Sequence, residues 1–184
     1  MRRPVLLAFL LVLTPLAACR TPDLNQIAQT CPGLSILAQA AEVTKTRPGG
    51  VARDDVIFSA EMLPATMACD YEFGDVDVTV DLRVPIIVRR GPAAGEPQSL
   101  NYFIAIIDPN GNMVSKRLFA RNVPADNVPV GTFTEFVNGT TIGLAQNRQP
   151  FEYQVLLGFQ LSADEYVRNQ ADPLLRSCIR CSLN

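Results

Sequence analysis

The sequence contains no histidine and no tryptophan. The side chains with the clearest potential for chemistry are therefore its 5 cysteines and 18 acidic residues. Without histidine, neither a Ser-His-Asp nor a Cys-His arrangement can form, and the commonest ligand of zinc and copper is missing. The sequence therefore predicts no catalytic residue, no metal ligand and no cofactor. Carboxylate or lysine chemistry stays open to an enzyme.

A carboxylate-dependent hydrolase of glycan or peptidoglycan is accordingly the alternative function, since two acids suffice for such an enzyme. It would need two carboxylates about 5–10 Å apart in a deep cleft. The sequence distinguishes no pair among the candidates, which are Asp54, Asp55, Glu61, Asp70, Glu72, Asp75, Asp77 and Asp81.

Two oxygen-rich stretches resemble cation sites only superficially. Asp75, Asp77 and Asp81 are expected on one face of a strand, where acids more often face solvent and discourage edge pairing than bind calcium. The stretch 108–112 begins like a calcium loop, but Gly111 stands at the fourth place instead of the sixth. We predict a solvated strand face and a tight turn.

The cysteines suggest disulfides, because an even number remains in an exported chain once Cys19 is set aside. Three pairings of the other four are possible. We favour Cys31 with Cys69, which flank an N-terminal unit, and Cys178 with Cys181, which are local. The spacing of Cys178 and Cys181 also allows a thiol relay, but a structural clip or a frayed tail is the favoured interpretation.

The N-terminus has the pattern of a secretory signal. Arg2 and Arg3 precede an apolar run from Val5 to Leu13, and polar residues begin again at Arg20. This run is too short for a membrane-spanning helix, which needs about 20 apolar residues.

The segment Leu16-Ala17-Ala18-Cys19 resembles the lipobox of bacterial lipoproteins. That resemblance implies a diacylglyceryl and palmitate modification of Cys19, cleavage before it, and attachment to the lipid bilayer through its acyl chains. In that family an aspartate after the cysteine favours the inner membrane. Arg20 occupies this position here, so we expect the periplasmic face of the outer membrane.

The remaining sequence predicts a β-rich domain. Val76, Val78, Val80, Leu82 and Val84 alternate with polar residues, which is the period of a half-buried strand. Pro85 suggests that this strand bends or changes partner at an edge. Similar alternation follows over 100–106 and 151–161, whereas residues 35–44 fit a helix or a strand equally well.

Turn and cap signals complete the fold prediction. Asn138-Gly139-Thr140 matches a glycosylation sequon, but we interpret it as a hairpin turn. Ser162 and Glu165 have the spacing of a capping box that opens a short helix. We predict a signal peptide (1–18), a tether (19–30), one antiparallel β-sandwich of immunoglobulin-like type (31–171) and a C-terminal tail (172–184).

Four segments resemble a group of alphaproteobacterial lipoproteins that have no assigned activity: 31–38, 90–94, 102–106 and 157–161. The resemblance implies location and fold only. With 16 basic and 18 acidic residues, the chain lacks the excess of positive charge that is typical of nucleic-acid-binding proteins. We therefore expect a non-catalytic binding or structural module of the cell envelope, with an envelope protein or a glycan as its partner.

Overall fold

The computed structural model describes residues 31–72, 74–95, 98–123 and 129–171, which form a β-sandwich with one short helix. The nine described strands are β1 (Gly33–Ile36), β2 (Glu42–Thr46), β3 (Val56–Met62), β4 (Thr66–Asp70), β5 (Asp77–Arg90), β6 (Gln98–Ile107), β7 (Met113–Val123), β8 (Val130–Gly143) and β9 (Gln154–Phe159). Helix α1 is Ala163–Ala171, and single 3-10 turns cover Ala38–Ala40, Arg53–Asp55 and Pro150–Glu152.

The strands are divided between two sheets, as predicted for a sandwich. The first sheet has the order β1-β9-β6-β7, and β1 runs parallel to β9. In the second sheet β2 pairs with β3, while β3, β4 and β8 all pair with β5. All pairs other than β1 with β9 are antiparallel among the described strands.

Alternating apolar residues of the two long central strands face each other and build the core. Leu82 and Val84 of β5, together with Tyr102 and Ile104 of β6, are buried. Burying a large aliphatic side chain contributes about 1.5–3 kcal/mol, so these alternating faces drive the packing of the two sheets. The predicted line over 151–161 is shorter than expected, because only Gln154–Phe159 are strand residues.

Pro85 marks the point where β5 exchanges one partner for another. Arg83 pairs with β4 and Ile86 pairs with β3. The Leu63 amide donates to the Pro85 carbonyl at 2.9 Å, so this side of Pro85 faces the gap between the end of β3 and the start of β4. Proline has no N–H to donate, and in this gap no partner strand requires one. The predicted change of partner is confirmed, but it occurs in a central strand and not at an edge.

The prediction of a hairpin turn at Asn138-Gly139 is wrong, because both residues lie inside β8. Val80 pairs with Thr140 and Leu82 with Val137, so Asp81 lies opposite the two residues Asn138 and Gly139, which form a β-bulge with one extra residue. Gly139 has φ +65°, a conformation that suits glycine and explains why turn-like residues occur within a strand.

A predicted turn and a predicted disulfide are confirmed. Residues 108–112 form the tight turn between β6 and β7, where both Asn110 and Asn112 donate backbone N–H groups to Asp108. Cys31 and Cys69 form a disulfide with their Cα atoms 5.7 Å apart. It ties the start of the first sheet to β4 of the second, and on a chain-entropy model it contributes about 3–4 kcal/mol.

The stretch that fitted helix or strand equally well forms β1, a 3-10 turn and β2. Leu37 donates to the carbonyl of Leu157, so the parallel pairing with β9 continues to the end of β1. Long-range pairing decides this segment, which is why local periodicity left both interpretations open.

Candidate functional site

Cys19, Cys178 and Cys181 lie outside the described residues, as do the predicted signal peptide, tether and tail. The lipidation and the second disulfide therefore stay predictions. In the described part of the chain, no helix is long and apolar enough to cross a membrane.

Four of the eight acids considered for catalysis or cation binding accept hydrogen bonds or form an ion pair with a structural partner. Asp81 accepts the Gly139 N–H at 2.7 Å, and Asp55 accepts the Ala52 N–H at 3.0 Å. Asp75 lies before β5 and not on it, and it accepts the Glu72 N–H at 3.1 Å. Glu61 pairs with Arg89 at 3.1 Å. Within the described ranges, no three His, Cys, Asp or Glu residues form a metal-binding group.

Glu135 lies on the inward face of β8, although sequence analysis did not single it out. The Tyr102 hydroxyl donates to its Oε2 at 3.0 Å, and an Arg121 guanidinium nitrogen lies 3.5 Å from its Oε1. Burial raises the pKa of Tyr102, and the hydrogen bond to the carboxylate raises it further. Tyr102 therefore stays a neutral donor at physiological pH.

Aromatic rings surround this carboxylate at the side of the sandwich where β7 faces β8. The rings of Tyr102 and Phe119 stack with their centroids 5.1 Å apart. Arg121 lies 5.1 Å from the Phe133 ring centroid, so its guanidinium joins an aromatic contact to the ion pair. These contacts fix the relative position of the two sheets at this side.

Glu165 is buried, and it connects the helix to the second sheet. Lys45 of β2 donates to its Oε1 at 2.6 Å, and the Ser162 backbone N–H donates to its Oε2 at 2.7 Å. Burial opposes ionisation of this carboxyl, but these hydrogen bonds outweigh it and lower its pKa. The predicted capping box is confirmed, since the Glu165 N–H also donates to Ser162 Oγ at 3.3 Å.

Strand β7 is one of the edge strands that the described part of the molecule leaves accessible to a partner. Its neighbour in the sheet is β6, and no other described strand pairs with it. Leu118 is 64% exposed, and Lys116, which shares the outward face of β7, is exposed as well. An edge strand of this length with an apolar outward residue is a template for strand addition.

Two adjacent cations of β7 lack an acidic partner within the described residues. Lys116 lies 4.5 Å from the centroid of the Phe103 ring and donates to Gln160 Oε1 at 3.1 Å. Arg117 lies 5.3 Å from the centroid of the Phe119 ring. Aromatic contacts hold both cations beside the strand without neutralising them, so the surface is basic as well as apolar.

A groove of about 290 Å³ lies between the segment after β4 and the segment after β8. Tyr71 and Asp75 form one side, and residues 144–149 form the other. Tyr71 donates to Gln149 Oε1 at 3.3 Å, and Arg148 pairs with Glu152 at 2.7 Å. Asp75 is the one carboxylate that lines this groove, whereas an acid-pair hydrolase needs two.

Comparison with known proteins adds little to this description. No protein-family model matches the sequence, and no curated protein matches it. Among solved structures, the chain is similar to the variable (V) domain of the AgI/II polypeptide BspA of Streptococcus agalactiae, with 11% identity over 66% of this chain and 73% of that chain. The TM-score is 0.22, which is too low to support an inference about the fold or the function of this chain.

Proposed function

We propose that this chain is a lipid-anchored protein of the cell envelope that serves as a non-catalytic binding module. The lipid anchor is supported by the sequence of the first 19 residues, in which two arginines, an apolar run and small residues precede Cys19. Two or three acyl chains anchor a protein firmly, whereas one holds it only marginally. Arg20 supports the periplasmic face of the outer membrane as the location.

The observation that carries the binding role is the exposed strand β7. On the side away from β6, no described strand pairs with β7. The strand also carries the exposed Leu118 and two cations without an acidic partner among the described residues, Lys116 and Arg117. Proteins usually protect an edge strand by making it short, by covering it or by placing charges on it, and the cations of β7 discourage pairing with any strand that does not carry acids. An 11-residue edge that is partly apolar is therefore suited to a partner.

The roles of Glu135 and Glu165 support binding in preference to catalysis. Glu135 holds Tyr102 and Arg121, and Glu165 holds Lys45 and caps the helix. Each of these carboxylates joins one element to another, and three of their four oxygens accept hydrogen bonds, whereas Glu135 Oε1 has only the ion pair with Arg121 at 3.5 Å.

In-cell photo-crosslinking tests this proposal. A photoreactive amino acid placed at position 118 of the full-length protein should yield a covalent adduct with the same envelope component in repeated experiments. Val51 is the matched control, because it is also apolar and is 91% exposed in a different part of the domain. The proposal is contradicted if position 118 gives no adduct above that obtained at position 51.

A further inference from the structure

We propose that β7 binds an extended acidic segment of another envelope protein, which adds to the first sheet as a further strand. This inference rests on the proposed binding function and specifies its partner. Strand addition is a recurring mode of peptide recognition in which the main chain supplies affinity and the side chains supply specificity.

The backbone of β7 supplies the first part of the argument. Its residues pair with β6 from Gln98 opposite Val123 to Ile107 opposite Met113. In an antiparallel ladder, alternate residues direct their N–H and C=O groups toward one neighbour and the intervening residues toward the other side. The side of β7 away from β6 therefore presents a row of donors and acceptors to an incoming strand.

The charges of β7 determine which strand fits. The 11 residues of β7 include the cations Lys116, Arg117 and Arg121 and no acid. A second copy of β7 would add three more cations and no acid to the new ladder, so it could not form the opposite-charge pairs that stabilise neighbouring strands. An acidic segment would instead form opposite-charge pairs. Arg121 already pairs with Glu135, so Lys116 and Arg117 are the cations left for a partner.

The faces of β7 give the order of residues in that partner. Lys116 and Leu118 share the outward face, and Arg117 lies on the other face, opposite the buried Ile104. An antiparallel partner strand should therefore contain an apolar residue followed by two acids, placed opposite Leu118, Arg117 and Lys116. A parallel partner should contain the same three residues in reverse order.

Binding of designed peptides to the full-length acylated protein in detergent tests this inference. The probe is a short labelled peptide with Leu-Glu-Glu at its centre, and the control has Leu-Lys-Lys in the same flanking sequence. In low-salt buffer the acidic peptide should bind at least about tenfold more tightly than the basic one, because two charge pairs form in place of two repulsions. Added salt should reduce this ratio. Equal binding of the two peptides overturns the inference.

Backbone methylation distinguishes strand addition from simple charge attraction. N-methyl groups on the alternate residues that face β7 should abolish binding of the acidic peptide. The same number of N-methyl groups on the intervening residues should leave binding unchanged, since those N–H groups point away from β7. If both methylated peptides bind equally, the acidic segment does not pair as a strand.

A charge-reversed protein provides the complementary control. The variant Lys116→Glu/Arg117→Glu changes exposed side chains, so we expect it to fold and to prefer the basic peptide. Hydrogen exchange of the β7 amides that point away from β6 should slow when the acidic peptide binds to the unmodified protein. If these outer amides are already fully protected without a peptide, a segment of the chain itself covers the edge and the inference is wrong.

The two proposals fail in different ways. A partner crosslinked at position 118, combined with equal binding of acidic and basic peptides, would keep the binding function and reject the acidic strand. Selective binding of the acidic peptide without any crosslinked partner in cells would show that β7 accepts such strands, but it would contradict the envelope-binding role.

Discussion

The ammonium group of Lys45 lies 2.6 Å from Oε1 of Glu165, although 120 residues separate the two in the sequence. The other oxygen of the same carboxylate accepts the Ser162 N–H at the start of α1. One side chain therefore caps the helix and attaches it to β2. Asn169 adds a second attachment, because its side-chain amide donates to the carbonyl of Glu42 at 2.8 Å.

Replacing Glu165 with Gln should lower the free energy of unfolding by about 1–3 kcal/mol at neutral pH, because Lys45 would lose a partly buried partner. Chemical denaturation of the mature domain would measure the change. Glu61→Gln is the control, since the Glu61–Arg89 pair is more exposed and should contribute about 1 kcal/mol or less. Equal losses for the two variants would contradict the role assigned to Glu165.

The same ion pair predicts a dependence of stability on pH. Because folding lowers the pKa of Glu165, its contribution is fully present above the unfolded pKa of about 4.3. That contribution should be lost as the pH falls through the lower, folded-state pKa. The difference in unfolding free energy between the wild type and Glu165→Gln should therefore shrink on acidification. A difference that stays constant down to strongly acidic pH would show that ionisation of Glu165 does not matter.

Sequence patterns predicted those parts of the fold that depend on neighbouring residues. The capping box formed by Ser162 and Glu165 is local, and so is the turn that Asp108 organises. The partnership of Lys45 with Glu165 requires the position of β2 relative to α1, which only the tertiary fold determines. Such a contact has no signature in either segment alone.

Glu135 shows a different limit of sequence analysis. It interrupts the inward series that Phe133 and Val137 define on β8, so a charged residue at an inward position of the strand was the available signal. The Asn138-Gly139 pair obscured this signal, because it suggested that the strand ended in a turn. Once the bulge opposite Asp81 is included, residues 130–143 form one continuous strand.

The bulge itself can be tested by adding a methyl group. Gly139→Ala should lower the free energy of unfolding by about 1–2 kcal/mol, because alanine is strained at φ +65°. No atom lies within 4 Å of a Cβ added there, so the loss would report backbone conformation and not a clash. Gly131→Ala is the control in the same strand, since that position is also open and has no positive φ. Similar stabilities for the two variants would contradict the assigned strain.

The contact between Tyr102 and Glu135 predicts a coupling that a double-mutant cycle can measure. Tyr102→Phe removes the donor to Glu135 Oε2 and should cost about 1–3 kcal/mol of unfolding free energy. In Glu135→Gln the same tyrosine substitution should cost less, because the acceptor is no longer charged. Tyr166→Phe, at a residue that is 44% exposed, should have little effect. Strict additivity of the Tyr102 and Glu135 substitutions would show that the two side chains do not interact.

The final prediction concerns Cys19, where the charge, the apolar run, the small residues and the cysteine all agree. Cys19→Ser should abolish acylation and block cleavage of the signal, and the sandwich should still fold because its described part begins at Cys31. Mass spectrometry of the wild-type protein should find an N-terminus at Cys19 carrying fatty-acyl mass, in the membrane fraction. Cys178→Ser is the control, because a cysteine in the tail should not affect processing. An unmodified Cys19, or a protein released from the membrane in its wild-type form, would remove the basis for the envelope location and for the partner proposed at β7.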